Sequence, residues 1–211
     1  KEKKNFNIIL LTSNKNHNEL LKQAYLFNVK NLIITNPKSF NLVKKKRLKK
    51  KINIYNNFDV IDKIFTKKID YVMSAISGIA GLEPTCKIIK YSKKIAIANK
   101  EAIICGWNII KKDLEKYKTK FVPVDSEHFS AWFGIKGFSI KEIDRIYLTA
   151  SGGPFLNLPL NKFKKINKSM ALRHPNWEMG GKISIDSATM MNKVFEIIEA
   201  KNIFDISYKK L

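Results

Sequence analysis

Two pairs of carboxylates are the residues of this 211-residue chain whose types and spacing could do chemistry: Asp125 and Glu127 in PVDSEH, and Glu196 and Glu199 in VFEIIEA. Carboxylates brought close together repel unless a cation or a shared proton lies between them. A hard divalent cation held by oxygen is the natural solution. One more carboxylate from the second pair would give three protein ligands and leave positions open for a substrate. Asp125 and Glu127 follow the strand-like run KFVPV, and in extended backbone their spacing points both side chains the same way. The same residues also suit a helix start, with Asp125 or Ser126 capping EHFSAWF, and at this level both readings stand.

Other polar groups could complete such a site. Ser151-Gly152-Gly153-Pro154 follows the strand-like IDRIYLTA and could present a hydroxyl and backbone amides to a phosphate or carboxylate, or could simply turn the chain. His174 opens an HPNW segment in which Trp177 and Met179 lie next to Gly180 and Gly181, a composition suited to a lid that excludes water. On a helical wheel Met190, Met191, Val194, Phe195, Ile197 and Ile198 share one arc, while Asn192, Glu196 and Glu199 line the other with Lys193 at its edge. Asn192 with Glu196, and Lys193 with Glu196, can therefore act on one object. Taken alone, such a helix is ordinarily amphipathic with a solvated polar face.

The elements that must position these residues alternate. FNIILLT, NLIIT, INIY, DYVMSAI, KIAIA and KFVPV are short apolar strand-like runs, with helical patterns such as NELLKQAYLF and LEPTCKIIKY between them. That order predicts βαβ units and a doubly wound, Rossmann-like α/β sheet. Such sheets bind ligands at the carboxyl ends of their strands. The polar clusters there are 12–16 (TSNKN), Ser77-Gly78, Asn99-Lys100-Glu101 and Asp125-Ser126-Glu127. No GxGxxG follows the first strand, and the reading adopted is that the chain begins after the unit that would carry it. Lys15 and Asn16 then occupy the turn that reads the ribose 2′ position, where a lysine suits a 2′-phosphate and so NADPH. A lysine in a polar turn would look the same.

Composition sets the outer bounds. A formal net charge of +22 with 45% hydrophobic residues allows a sizeable core and raises the question of a nucleic-acid partner. The lysines are scattered, however, and the one dense run, KKKRLKKK at 44–51, has no aromatic residues for base stacking, so a solvated surface is expected and no nucleic-acid partner. Cys86 and Cys105 have neither disulfide-framework nor CxxC spacing, which fits a reducing cytoplasm. No apolar run approaches the ~18 residues of a membrane span, and the basic Lys1–Lys4 stretch leads into a strand without a cleavage signal.

Taken together, ANKE at 98–101, PVDSEH at 123–128, SGGPF at 151–155 and HPNWEMGGKISIDSATMMNK at 174–193 closely resemble the 1-deoxy-D-xylulose 5-phosphate reductoisomerases. The resemblance covers most of the chain and is weakest before Asp70. It implies an NADPH-dependent, Mg²⁺- or Mn²⁺-dependent enzyme that rearranges and reduces 1-deoxy-D-xylulose 5-phosphate to 2-C-methyl-D-erythritol 4-phosphate for isoprenoid synthesis. By that resemblance Asp125, Glu127 and Glu196 hold the metal and Glu199 drops out. Ser126, Glu127, Ser151, His174, Ser187, Asn192, Lys193 and Glu196 meet the substrate, with Lys100 near the reacting carbons. Asn14, Lys15, Asn16, Asn99, Glu101 and Gly180 match cofactor positions, and Trp177 and Met179 match the lid. A partial NADPH-binding domain over 1–124, a partial α+β catalytic domain over 125–211, a cytoplasmic homodimer, a sugar-phosphate substrate and no membrane contact are implied. The polar face of the 190–200 helix should then line a pocket.

Two residues depart from the family pattern, Ala102 where Ser usually follows NKE and Val194 where Gly usually follows MMNK. Val194 is expected to alter packing or lid approach beside the metal-site helix. The family's Gly-rich NADPH loop and its C-terminal portion fall outside residues 1–211. The expectation is that these residues by themselves bind NADPH poorly and turn over little.

Overall fold

The computed structural model describes residues 5–48 and 50–211. Lys1–Lys4, expected to lead into a strand, and Lys49 of the basic run lie outside the described residues. The chain groups into two compact units, Lys1–Lys68 and Ile69–Leu211. The division expected between residues 124 and 125 falls inside the second.

In the first unit, β1 (Leu10–Ser13), β2 (Asn31–Ile34) and β3 (Asn53–Tyr55) form a parallel sheet in that order. Parallel neighbours need a crossover, which α1 (His17–Phe27) and α2 (Pro37–Lys45) supply. Both helices start on an asparagine: Asn16 accepts from the Glu19 amide at 3.3 Å, and Asn36 from the Ser39 amide at 3.0 Å. Pro37 then occupies the first turn, where its missing N–H costs nothing. Leu20, Leu21 and Ala24 of α1 pack with Leu32, Ile34 and Val43 into the core of this unit. A short α3 (Ile61–Ile64) follows β3.

In the second unit, β4 (Val72–Ser74), β5 (Lys94–Ile97) and β6 (Lys120–Pro123) form another parallel sheet in chain order. Its crossovers are α4 (Leu82–Ile89) and the long α5 (Lys100–Lys116), which pack on each other. Ile95, Ala96 and Ile97 are essentially fully buried, as expected for a central strand covered on both faces. Beyond β6 come α6 (Ser126–Gly134), the one-turn α7 (Lys168–Ala171), α8 (Gly181–Ala188) and α9 (Met191–Phe204). α9 packs against α5, α6 and α8. Its C-terminal half joins Ile146 and Ile206 in a small core through Ala200 and Phe204.

The protein is thus α/β with parallel sheets, as the alternation predicts, but with differences of physical origin. Each unit has its own three-stranded parallel sheet, β1-β2-β3 in the first and β4-β5-β6 in the second. IDRIYLTA is not a strand, although its side chains alternate between buried Ile146 and exposed Tyr147. Among the described residues its one backbone bond to a distant part of the chain is from Ile146 N to the Lys210 carbonyl, which does not make a ladder. After residue 124 the described residues of this truncated part are helical and irregular.

Candidate active site and metal centre

The N-termini of α5, α6 and α9 carry the chemistry of the second unit. Asn99, 2% exposed, caps α5: its Oδ1 accepts from the Ala102 amide at 2.6 Å. Its side-chain nitrogen donates to the carbonyls of Ile76 and Gly78. Gly81 makes room for this strut, since a Cβ there would stand 2.3 Å from the Asn99 amide nitrogen. The strut fixes the first turn of α5, and with it Lys100.

Lys100 reaches α6 and α9 together. Its Nζ lies 2.7 Å from Asn192 Oδ1, 3.1 Å from Asp125 Oδ2 and 3.5 Å from Glu196 Oε1. Burial works against its charge, but Asp125, Glu199 and Glu196 outweigh that and hold its pKa above the ordinary lysine value. Burial likewise opposes the charge of Asp125, yet the hydrogen bond with Glu127 and the Lys100 ammonium bring its pKa below the usual carboxylate range. Asp125 stands at the N-cap of α6 without capping it, its carboxylate being turned to Lys100. Glu127 sits in the first turn, where Ser126 Oγ donates to it at 2.6 Å. The two carboxylates therefore converge across a helix start and not by strand alternation.

The third carboxylate comes from α9. Oxygens of Asp125, Glu127 and Glu196 lie within 4.8 Å of one another, a cluster able to hold a metal ion. Asn192, one turn earlier, donates to Glu196. Lys193 donates to Glu196 and to the Thr149 carbonyl, and stands 3.7 Å from Glu127. The sequence pairs Asn192/Glu196 and Lys193/Glu196 do share one object, and it is the Glu196 carboxylate.

Behind this cluster are His128, which the sequence reading left out, and Glu199, which the family resemblance set aside. His128 is fully buried on α6, with its Nε2 2.8 Å from the Glu196 carbonyl. A carbonyl can only accept, so Nε2 carries the hydrogen and Nδ1 presents a lone pair. Nδ1 faces Glu199 Oε2 at 3.8 Å. Glu199 is 1% exposed, and burial, with the Asp125 charge adding to it, pushes its pKa up to about 8. Glu199 is thus not on a solvated face. The sequence signal for both residues was spacing: Asp125/His128 and Glu196/Glu199 are each three apart, one turn of a helix.

A second polar group lies around His174. Its Nδ1 accepts from the backbone amides of Asn176 and Trp177, both at 3.2 Å, which identifies the neutral ring's Nε2 as the donor to Ser151 Oγ at 3.1 Å. Ser151 Oγ also accepts from Gly153 N at 3.4 Å. With both acceptor sites used, the Ser151 hydroxyl keeps its hydrogen available to donate. Gly153 has φ +65°, and a Cβ there would stand 2.8 Å from the Ser187 carbonyl. That close approach seats the serine-glycine turn on the end of α8, next to Ser187. Trp177 is 65% exposed, and Met179 is half-buried ahead of Gly180, which stands at the N-cap of α8. Glu101, in the first turn of α5, pairs with Lys182 of α8 at 3.3 Å.

Comparisons with known proteins agree with this geometry. A family model described as 1-deoxy-D-xylulose 5-phosphate reductoisomerase matches residues 1–106, and one for the C-terminal domain of the same enzyme matches 121–204. The chain belongs to the 1-deoxy-D-xylulose 5-phosphate reductoisomerase family. The reductoisomerase of Pelagibacter ubique (strain HTCC1062) is 61% identical over the whole of this chain, which covers 55% of that protein. The reductoisomerase of Thermoanaerobacter sp. (strain X514) is 41% identical over 99% of the chain and 54% of its own length. Among solved structures, the Zymomonas mobilis reductoisomerase in complex with NADPH superposes with a TM-score of 0.87 at 33% identity, covering 99% of this chain and 53% of that one. A reductoisomerase in complex with NADPH, fosmidomycin and magnesium gives a TM-score of 0.83 at 31% identity, over 98% and 54%. The chain spans about half the length of the relatives it matches.

Within the reductoisomerase frame, the structure brings Lys100, Asp125, Ser126, Glu127, Asn192, Lys193 and Glu196 into one connected cluster, and Ser151, His174 and Ser187 into a second group. Asn14, Lys15 and Asn16 belong to the first unit. There Asn14 donates to Thr35 Oγ1 at 2.8 Å and the Lys15 carbonyl accepts from Ser39 Oγ at 3.0 Å. Ala102 is fully buried. Val194 is 44% exposed, as are Met190 (44%) and Met191 (41%), whereas Glu196 is 2% exposed. The apolar arc of the wheel at this end of α9 faces outward and the polar arc faces in, the reverse of a solvated polar face. Val194 thus lies on the outer side of α9, away from the carboxylates.

No helix among the described residues is long and apolar enough to cross a membrane.

Proposed function

We propose that the protein of which this chain is part converts 1-deoxy-D-xylulose 5-phosphate to 2-C-methyl-D-erythritol 4-phosphate, using NADPH and a divalent metal ion, in isoprenoid synthesis. The observation that carries the reading is the convergence of Asp125, Glu127 and Glu196 with Lys100 and Lys193 at the starts of α5, α6 and α9. Three carboxylates face two ammonium groups here, and that imbalance fits a cation. Three oxygen donors suit Mg²⁺, with Mn²⁺ an acceptable substitute. Held there, the metal would act as a Lewis acid on the substrate's oxygens, and NADPH would supply the hydride.

The chain's own residues take the remaining roles. Lys100 and Lys193 orient the anionic substrate and stabilise negative charge as it develops on its oxygens. Ser151, His174, Ser187 and Asn192 bind the phosphate and hydroxyl groups, Ser151 donating its free hydrogen. Ser126 and Glu127 contact the substrate beside the metal. Trp177 and Met179 close over the site and exclude water. Asn14, Lys15, Asn16, Asn99, Glu101 and Gly180 serve the cofactor, Asn99 and Glu101 by holding the start of α5. Residues 1–124 are read as NADPH-binding and 125–211 as catalytic, a division close to the change from one family match, ending at 106, to the other, beginning at 121. A cytoplasmic homodimer belongs to the same reading, and the free cysteines fit a reducing compartment.

The test is NADPH oxidation by the full-length protein with 1-deoxy-D-xylulose 5-phosphate, with and without Mg²⁺. Metal-dependent turnover that Glu196→Gln lowers by about 10²-fold or more is expected. Turnover unaffected by that substitution would remove the metal assignment.

A further inference from the structure

We propose that Asp125, His128 and Glu199 form a second divalent-cation site, behind the all-oxygen cluster and sharing Asp125 with it, that selects a transition-metal ion through a histidine nitrogen. One ligand atom from each of the three lies within 4.8 Å of the other two. His128 Nδ1 is 3.9 Å from Asp125 Oδ1 and 3.8 Å from Glu199 Oε2. Ligands at the ~2.0–2.2 Å bond lengths of a tetrahedral ion stand roughly 3.3–3.6 Å apart. The two histidine–carboxylate distances need to close by only a few tenths of an ångström.

A buried histidine whose Nδ1 has no hydrogen-bond partner is what separates this cluster from a mere group of acids. His128 is fully buried, and among the described residues its Nδ1 and Glu199 Oε2 both lack a hydrogen-bond partner. At 3.8 Å the two atoms are too far apart to hydrogen-bond each other, and a buried polar atom left unpaired costs about 1–3 kcal/mol. A cation between them satisfies both. The ring is also prepared for the role, since the Nε2 hydrogen is committed to the Glu196 carbonyl at 2.8 Å and the Nδ1 lone pair is left to bind. Metal-ligating histidines are held in this way, by a carbonyl or carboxylate on the far nitrogen.

The donor set decides the ion. One imidazole nitrogen with two carboxylate oxygens suits Zn²⁺, Mn²⁺ or Co²⁺, whereas Mg²⁺ prefers oxygen alone. Mg²⁺ in the outer site and a transition metal in the inner one would thus be distinguishable, with Asp125 common to both. The inner ion would also fasten α6 to α9 behind the outer ligands.

The full-length protein, stripped of metal, is filled with excess Mg²⁺ and given less than one equivalent of Mn²⁺. Pulsed electron paramagnetic resonance is then used to look for ¹⁴N coupling to the Mn²⁺. Coupling is expected in the wild type, is lost in His128→Gln, and is kept in Glu127→Gln, which alters only the outer cluster. Absence of ¹⁴N coupling in the wild type, its survival in His128→Gln, or its loss in Glu127→Gln would each overturn the second site. Glu199→Gln keeps the imidazole and supplies an independent check should His128→Gln not fold. It is expected to weaken the nitrogen-coupled Mn²⁺ at least about tenfold, and unchanged affinity overturns the proposal as well. None of these readouts depends on turnover.

Discussion

His128, on the first turns of α6, donates its Nε2 hydrogen to the backbone carbonyl of Glu196 at 2.8 Å. The bond ties the helix that carries Asp125 and Glu127 to the helix that carries Glu196, so the three carboxylates owe their mutual position partly to a fully buried side chain behind them. His128→Ala removes a fully buried ring and leaves a carbonyl without its donor, and is expected to destabilise the full-length protein by about 3 kcal/mol in urea unfolding. His128→Gln can still donate to the same carbonyl and should lose only about 1 kcal/mol. Equal losses in the two variants would show that the ring's volume, and not the bond, is what matters.

Lys193 occupies the place of a cation. Its ammonium lies against Glu196 and 3.7 Å from Glu127, while Lys100 lies 3.1 Å from Asp125. A metal entering this cluster competes with these charges, and a ligand phosphate could draw Lys193 off the carboxylates. Lys193→Gln removes the competitor. It is expected to tighten Mg²⁺ binding by about fivefold, close to 1 kcal/mol, while weakening substrate by more than that. Calorimetric titration of the metal-free protein with Mg²⁺ reads the first effect, and weaker Mg²⁺ binding by Lys193→Gln would count against the competition.

Much of this fold is written locally. The strands and crossover helices of both sheets follow the alternation of short apolar runs with helical patterns, because each βαβ unit needs only a buried strand and a one-sided helix. The site was less legible for reasons that particular residues make plain. A wheel sorts side chains by type and assumes that charge seeks water, so it turned Glu196 and Glu199 outward, whereas the structure leaves them 2% and 1% exposed and puts Val194 at 44%. Burial of those acids rests on Lys100, Lys193 and His128, from three separate stretches of chain. Asp125 and Glu127 were expected to converge by strand alternation and converge across the start of α6 instead. IDRIYLTA has the alternation of a strand and no partner to make it one.

Cysteine reactivity should separate by burial and pH. Cys86, half-buried on α4, has its thiol pKa raised by burial and by the Asp113 charge, while Cys105 on α5 is exposed. Only the thiolate reacts. Iodoacetamide near pH 8 is expected to modify Cys105 well before Cys86. The lag should narrow as pH rises toward the raised pKa of Cys86, since the thiolate fraction there grows about tenfold per pH unit below that value. Simultaneous labelling of both thiols in the folded protein would show that α4 opens readily. Peptide mapping by mass spectrometry distinguishes the two sites.

His174 does two jobs that a substitution can separate. Its Nδ1 gathers the amides of Asn176 and Trp177 at 3.2 Å, which folds the start of the Trp177 loop, and its Nε2 hydrogen reaches Ser151 at 3.1 Å. An asparagine at 174 can keep the first role, since its side-chain oxygen accepts from the amide two residues on. It is too short to reach Ser151. His174→Asn in the full-length protein should therefore leave the loop as resistant to limited proteolysis as in the wild type, while the substrate KM rises about tenfold for loss of one charge-facing hydrogen bond. His174→Ala lacks both contacts, and cleavage between residues 174 and 180 should appear with it. If His174→Asn is cut as readily as His174→Ala, the loop is held by the ring's bulk or by the Ser151 contact, and the two roles are one.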